Sequence, residues 1–183
     1  KPWSKSPVPA EMAIHGLFAS TLVVRQLDPL AYVLTGVMGY RQAAEYPRTE
    51  IPDEQTVVFE IGDGGAGKEL YVVEQPKQAN GQLGIGGVHH IAFRTPNGSE
   101  QQQWLEHLHR IGIPTSGLVD RYYFQSLYFR VPGGILFEIA TDGPGFATDE
   151  EAARLGERLA LPPFLEPHRA RIEAGLTPIS LAV

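Results

Sequence analysis

Two residues of this sequence, His90 and Glu138, have side chains suited to binding a metal ion. Each interrupts a short apolar run that follows a pair of glycines, at 86–87 and 133–134. Imidazole and carboxylate are the ligand types that hold non-haem Fe(II), where two histidines and one carboxylate leave positions open for substrate and oxygen. The sequence offers two of those three ligands. Because a histidine or glutamate in a strand is more often structural, the residue types alone leave a scaffold role open.

Both apolar runs are predicted to be β-strands, whose side chains alternate between two faces. In the first run His90 shares a face with Arg94, whereas Ile91 and Phe93 on the other face are expected in the core. In the second run the residues on either side of the glutamate are apolar and turn the other way. Glu138 is therefore predicted to point away from the core, towards the side of the sheet that carries His90.

The strands belong to an order of elements, β, α, β, β, β, that occurs twice. In the first unit we predict strands at 13–25, 40–45, 56–61 and 69–74, with a helix from the N-cap Asp28 to about residue 37. In the second unit we predict strands at 88–95, 122–131 and 135–141, a helix at 99–110 and an extended piece at 114–119. Gly16 and Gly87 are 71 positions apart, and Gly39 and Gly112 are 73 apart. This offset indicates an internal duplication and an α+β fold.

The duplication allows each unit to serve as a control for the other. Alignment of the first strands places Ala19 where the second unit has His90, and alignment of the last strands places Tyr71 opposite Glu138. A residue required by the fold would tend to occur in both copies. The restriction of the imidazole and the carboxylate to one copy favours a site.

We divide the chain into an extended linker at 1–10, a metal-less first module at 11–80, a second module with the site at 81–145, and a helix and tail at 146–183. The linker is rich in proline. A helix is predicted at 148–161, because Thr148 could cap it and acidic residues in its first turn suit the helix dipole.

Composition excludes several classes of function. The chain has 15 Lys and Arg against 21 Asp and Glu, a net charge of -6, so it lacks the basic surface that nucleic acids or anionic membranes require. No apolar run approaches the length of a membrane span, and cysteine is absent. We expect a cytoplasmic protein with a small-molecule partner.

Residues 86–95, 120–130 and 133–146 resemble the C-terminal half of ring-cleaving dioxygenases of the vicinal oxygen chelate (glyoxalase/bleomycin resistance) superfamily. The similarity is greatest to the hydroquinone-type extradiol enzymes. It implies tandem βαβββ modules that form a cupped mixed sheet, followed here by a C-terminal helical tail. A full chain of that family has four modules, whereas this chain has two.

The resemblance also implies roles for individual residues. His90 and Glu138 match metal ligands, and His89 matches a histidine that contacts a metal ligand or the substrate. Arg121 and Tyr128 match residues that hold the ionised phenol near dioxygen. The implied metal is Fe(II), with Mn(II) as the alternative. Arg121 and Tyr128 are seven positions apart in a turn and a strand, which leaves open whether they share a face.

In that family the remaining histidine ligand belongs to the first module of the full chain. We therefore expect the partners to be a small aromatic substrate, O2, and the N-terminal half of the full protein or another chain. Modules that normally pack on another pair should expose an apolar face, so we also expect a homo-oligomer. Two alternatives remain: a glyoxalase-like isomerase or lyase, and a metal-free module that binds small molecules.

Overall fold

Two four-stranded sheets make up the framework of the computed structural model, which describes residues 2–47, 54–79 and 81–178. The first sheet contains β1 (Ala19–Val24), β2 (Arg41–Pro47), β3 (Gln55–Glu60) and β4 (Glu69–Glu74). The second contains β5 (Ile91–Thr95), β6 (Thr115–Asp120), β7 (Gln125–Arg130) and β8 (Leu136–Thr141). Apolar runs next to glycine-containing turns explain why most of these segments form strands. The more polar strands β2 and β6 are positioned by their pairing with β3 and β7.

The two sheets have the same topology. Their strand orders are β1-β4-β3-β2 and β5-β8-β7-β6, so the first and last strands of each unit are neighbours. In both sheets these two strands are parallel, and the other pairs are antiparallel. The predicted duplication and the α+β fold are confirmed.

Each unit has one helix between its first and second strands. The first begins as α1 (Leu27–Tyr32) and continues as a π-helical turn, Val33–Val37. The second is α2 (Gly98–Arg110), in which Asn97 caps the N-terminus by accepting a hydrogen bond from the backbone N–H of Glu100. It ends before Gly112, whose φ of 77° suits a helix C-terminus. A short helix near the C-terminus, α3 (Arg169–Gly175), agrees with the predicted helical tail.

The two units share one hydrophobic core. Side chains from β1, β3, β4 and α1 pack in the same cluster as those from β7, β8 and α2. Tyr40 of the first unit meets Phe93 of the second edge to face, with ring centroids 6.3 Å apart, and Phe93 also contacts Phe137. In β1, β3, β4, β7 and β8 the residues of this core alternate along the strand, so the intervening residues form a second face on each sheet.

Several predicted strands begin too early. β1 starts at Ala19 and β5 at Ile91, because each pairs with its partner only from that point. β7 starts at Gln125, since Tyr122 has a φ of 70° and cannot continue an extended strand. The helix predicted to have Asp28 as its N-cap starts two residues earlier, with Gln26 as the N-cap.

The helix predicted at 148–161 is wrong. The chain instead forms two 3-10 turns, Phe146–Thr148 and Ala152–Arg154. Most side chains between 148 and 158 are exposed. A short charged segment without an apolar face to bury has little to offset the entropy of forming a helix.

Some predictions cannot be compared with the structure. Lys1 of the predicted linker, Asn80 of the first module and residues 179–183 of the tail lie outside the described residues. Among the helices that are described, none has the length and apolar character needed to cross a membrane.

Candidate active site

His90 and Glu138 meet on the face of the second sheet that lies opposite the core residues Phe137 and Ile139. His90 directly precedes β5, and Glu138 lies in the middle of β8, the strand paired with β5. The Nε2 atom of His90 is 2.6 Å from Oε2 of Glu138. The imidazole is about one-third exposed, whereas the glutamate is 2% exposed. The face that the sequence predicted as polar therefore holds a buried carboxylate beside a partly open imidazole.

Two further side chains extend this contact in opposite directions. Ser126 of β7, which is fully buried, donates its hydroxyl hydrogen to Oε1 of Glu138 at 2.5 Å. The Nδ1 atoms of His89 and His90 are 2.9 Å apart, so one of them carries the proton of a hydrogen bond. Both oxygens of the carboxylate and both nitrogens of the His90 ring consequently have a polar partner.

Arg121 and Tyr128 also come together, although the sequence left this open. Tyr128 is directly opposite Glu138 in the register of β7 and β8, which places both side chains on the same face. The Tyr128 hydroxyl accepts hydrogen bonds from Nε and Nη2 of Arg121 at 3.2 and 3.1 Å. The Tyr128 ring packs edge to face with His90, at 5.8 Å between centroids. All five predicted site residues therefore form one cluster.

The turn between β6 and β7 positions Arg121. The carboxylate of Asp120 accepts a hydrogen bond from the backbone N–H of Tyr122 at 2.7 Å, and Arg121 N–H donates to the carbonyl of Phe124. Tyr122 adopts a left-handed backbone conformation that is unusual for a residue other than glycine. This turn returns the guanidinium of Arg121 to within 5.2 Å of the Tyr128 ring centre.

Arg94, which the alternation of strand residues placed on the face of His90, takes no part in this cluster. It donates hydrogen bonds to both carboxylate oxygens of Asp142, at 2.7 and 2.5 Å. The Asp142 carboxylate raises the pKa of Arg94 above its ordinary value. Arg94 is thus committed to an ion pair at the far end of β5.

A cavity of about 610 Å³ adjoins the histidines. It is bounded by β1, by residues 78–79, 81–83 and 87–91, and by residues 133–136 at the start of β8, and it includes His89 and His90 in its wall. This volume lies within the range of small-molecule sites. Glu138 and Tyr128 are not part of its lining, so the cavity reaches the cluster from the histidine side.

The donor set fits two positions of a divalent metal site. Imidazole nitrogen and carboxylate oxygen are both suitable for iron or manganese, and Ser126 fixes the second carboxylate oxygen in the way that partners of metal ligands commonly do. Among the described residues no group of three or more His, Cys, Asp or Glu side chains could hold a metal. The part of the chain that the structure describes thus provides two ligands and lacks a third.

Sequence reasoning missed Ser126. The signal was present, because Ser126 is a polar residue inside an apolar strand, two positions before Tyr128 and hence on the same face.

Comparisons with known proteins agree with this architecture. A family model described as Glyoxalase/Bleomycin resistance protein/Dioxygenase superfamily matches residues 16–139. The chain is 42% identical over 179 residues to "Putative ring-cleaving dioxygenase MhqA" of Bacillus subtilis, covering 97% of this chain and 56% of that protein. It is 30% identical over 169 residues to "Chlorohydroquinone/hydroquinone 1,2-dioxygenase" of Sphingobium indicum, covering 91% of this chain and 50% of that protein.

A solved structure is similar as well. The crystal structure of a "putative dioxygenase" from Bacillus subtilis superposes with a TM-score of 0.76 at 38% sequence identity. The match covers 87% of this chain and 49% of that one. The chain spans about half the length of the curated relatives it matches.

Proposed function

Because the chain belongs to the Glyoxalase/Bleomycin resistance protein/Dioxygenase superfamily, we propose that it is the C-terminal half of an Fe(II)-dependent, extradiol-type ring-cleaving dioxygenase. Its substrate would be a hydroquinone or catechol-like aromatic compound. The observation that carries the proposal is the 2.6 Å approach of His90 Nε2 to Glu138 Oε2, beside a tyrosine and an arginine. The names of the relatives support the reaction class.

His90 and Glu138 would hold the ferrous ion, with Mn(II) as the alternative. Such an ion supplies Lewis acidity and the capacity to activate dioxygen. The third ligand would come from the N-terminal half of the full protein or from another chain. Since no third ligand lies among the described residues, activity would require that second half or chain as well as this one.

Arg121 and Tyr128 would act on the substrate oxygen. Both N–H groups of Arg121 that reach Tyr128 donate to the phenolic oxygen, so the hydroxyl hydrogen of Tyr128 remains free to donate elsewhere. A phenolic donor beside a guanidinium can steady an anionic aromatic oxygen and return a proton to it. Tyr128 is therefore the proposed proton donor, and Arg121 the proposed electrostatic partner.

His89 would determine which ring nitrogen of His90 carries the proton. A ring nitrogen that binds a metal must present its lone pair, so binding through Nε2 places the His90 proton on Nδ1. That Nδ1–H would donate to Nδ1 of His89, 2.9 Å away. A neutral His89 would then carry its own proton on Nε2, in the wall of the 610 Å³ cavity. There it could donate to a substrate.

The proposal is tested on the natively purified protein by intact mass, anaerobic metal analysis and oxygen uptake with hydroquinone and with catechol. We expect a mass well above the 20.1 kDa of this chain, or a second co-purifying chain, with about one iron per assembly and oxygen uptake that needs the aromatic compound. Metal-dependent turnover of an aldehyde or thiol adduct without oxygen uptake would instead favour the isomerase or lyase alternative. Ligand binding that a chelator does not affect would favour the metal-free module.

A further inference from the structure

The two oxygens of the Glu138 carboxylate have different partners. Oε2 lies 2.6 Å from His90 Nε2, on the side where a cation would bind. Oε1 accepts the hydrogen of the Ser126 hydroxyl at 2.5 Å. Ser126 is fully buried and Glu138 is 2% exposed, so water cannot readily replace the serine hydroxyl as the partner of Oε1.

The Ser126–Glu138 hydrogen bond joins diagonal positions on the neighbouring strands β7 and β8. Ser126 is directly opposite Ala140 in the register of β7 and β8, and Glu138 is opposite Tyr128. The serine hydroxyl therefore reaches the carboxylate two residues along the neighbouring strand. Diagonal neighbours on one sheet face are close enough for such contacts. The small side chain of Ala140 leaves the approach open.

The first module offers an internal comparison for this hydroxyl. Thr56 is paired with Val73, which lies two residues after Tyr71 on β4. In the same way, Ser126 is paired with Ala140, which lies two residues after Glu138 on β8. A buried hydroxyl thus occurs at the matching position of both modules. In the second module that hydroxyl contacts a carboxylate, whereas the first module has Tyr71 at the position of the glutamate.

We propose that Ser126 is a positioning residue that restricts Glu138 to binding the metal through Oε2 alone. The inference rests on the proposed function, and it goes further by assigning the coordination mode of the carboxylate. Carboxylates can bind cations through one oxygen or two. By occupying Oε1 and holding the carboxylate plane, the Ser126 hydroxyl leaves one oxygen for the metal. Hydrogen-bond partners of metal ligands typically contribute roughly 10- to 100-fold to metal affinity.

The test is an anaerobic titration of the natively purified, metal-free protein with Co(II), whose visible spectrum reports the number and geometry of its ligands. Ser126→Ala is compared with the wild type, and Thr56→Ala serves as the matched control for loss of a buried strand hydroxyl. We expect Ser126→Ala to bind Co(II) roughly 10- to 100-fold more weakly and with an altered visible spectrum. Thr56→Ala should match the wild type in both measurements, and Ser126→Thr, which keeps the hydroxyl, should restore the wild-type spectrum.

The outcomes separate this inference from the proposed function. Equal Co(II) affinity and an identical spectrum for the wild type and Ser126→Ala would overturn the role of Ser126 while the metal site stands. Absence of Co(II) binding by the folded wild-type protein would overturn both. An equal loss of affinity in Thr56→Ala would also overturn the inference, since it would trace the effect to general destabilisation. Circular dichroism of each metal-free variant establishes that it is folded.

Discussion

The two modules have the same strand order and the same pairing, yet only one of them places an imidazole beside a carboxylate. Tyr71 of β4 lies opposite Thr21 of β1, as Glu138 of β8 lies opposite Ala92 of β5. Two residues before those partners stand Ala19 in the first module and His90 in the second. The fold therefore supplies equivalent positions, and the residue types at those positions decide whether a metal-binding pair exists.

The first module uses the same face for an internal hydrogen bond. The Tyr71 hydroxyl donates to Oε2 of Glu69 at 2.7 Å, and Oε1 of Glu69 accepts from the backbone N–H of Gly65. The carboxylate partner raises the pKa of Tyr71 to about 12. Here the carboxylate ties a tyrosine to the turn before β4, whereas Glu138 in the second module faces His90. The equivalent sheet face thus holds a structural hydrogen bond in the first module and the proposed metal-binding pair in the second.

The largest expected effect comes from making the second module resemble the first. His90→Ala and Glu138→Ala each remove one of the two donor atoms that approach to 2.6 Å, so we expect iron binding to fall by at least roughly 100-fold. Anaerobic iron analysis after desalting measures this loss. Far-ultraviolet circular dichroism should remain that of the wild type.

His15→Ala is the matched control for the histidine, because His15 is exposed and precedes β1 of the first module. It should retain the iron content of the wild type. Stoichiometric iron in both His90→Ala and Glu138→Ala would contradict the assignment of the two ligands.

A smaller effect is expected for Tyr128→Phe. The substitution removes the proposed proton donor and keeps the ring that packs against His90. Because general acid–base catalysis contributes about 10²- to 10⁴-fold, we expect the rate of oxygen uptake to fall roughly 100-fold at unchanged iron content. Oxygen-electrode measurements on iron-loaded protein test this.

Tyr123→Phe is the control for Tyr128→Phe. The Tyr123 hydroxyl donates to Asp149 at 3.0 Å, outside the His90–Glu138 cluster. Its removal should leave the oxygen uptake rate unchanged. A wild-type rate of oxygen uptake for Tyr128→Phe would exclude Tyr128 as the proton donor. A loss of bound iron in Tyr128→Phe would instead indicate that Tyr128 has a structural role.

The fold could be predicted from the sequence to the extent that local signals determine it. Glycine-bounded apolar runs predicted most of the described strands, and the internal offset predicted the duplication. The strand β6 was expected only as an extended piece, and β2 contains few apolar residues. The ends of the strands could not be predicted in the same way, because a strand extends only as far as its partner. Residues 13–18 have the apolar composition of a strand, yet β1 begins at Ala19, where its pairing with Glu69 begins.

The candidate site shows a similar division. Residue types and alternation along a strand were sufficient to place His90 and Glu138 on one face. The approach of Arg121 to Tyr128 depends on the left-handed conformation of Tyr122 and its hydrogen bond to Asp120, which no periodicity reveals. The helix predicted at 148–161 failed for the opposite reason, since its local charge pattern had no core contact to support it.

The smallest effect is expected in the first module, for Tyr71→Phe. The half-buried hydrogen bond to Glu69 should contribute less than about 1 kcal/mol to the free energy of unfolding near neutral pH. The folded-state pKa of about 12 exceeds the ordinary value of 10.0, so this contribution is complete below pH 10 and is lost as the pH rises towards 12. Urea unfolding at several pH values in that window measures the difference between Tyr71→Phe and the wild type.

The difference in unfolding free energy between Tyr71→Phe and the wild type reports on Tyr71 alone. Burial raises the pKa of Tyr40 to about 12 as well, but Tyr40 titrates in both proteins and cancels. We therefore expect the stabilities of the two proteins to converge as the pH rises from about 10 to 12, with iron content equal throughout. A constant difference across this window would show that the Tyr71–Glu69 hydrogen bond is not formed in solution. A loss of iron in Tyr71→Phe would contradict the division of roles between the modules, because it would link the face of the first sheet to the metal site of the second.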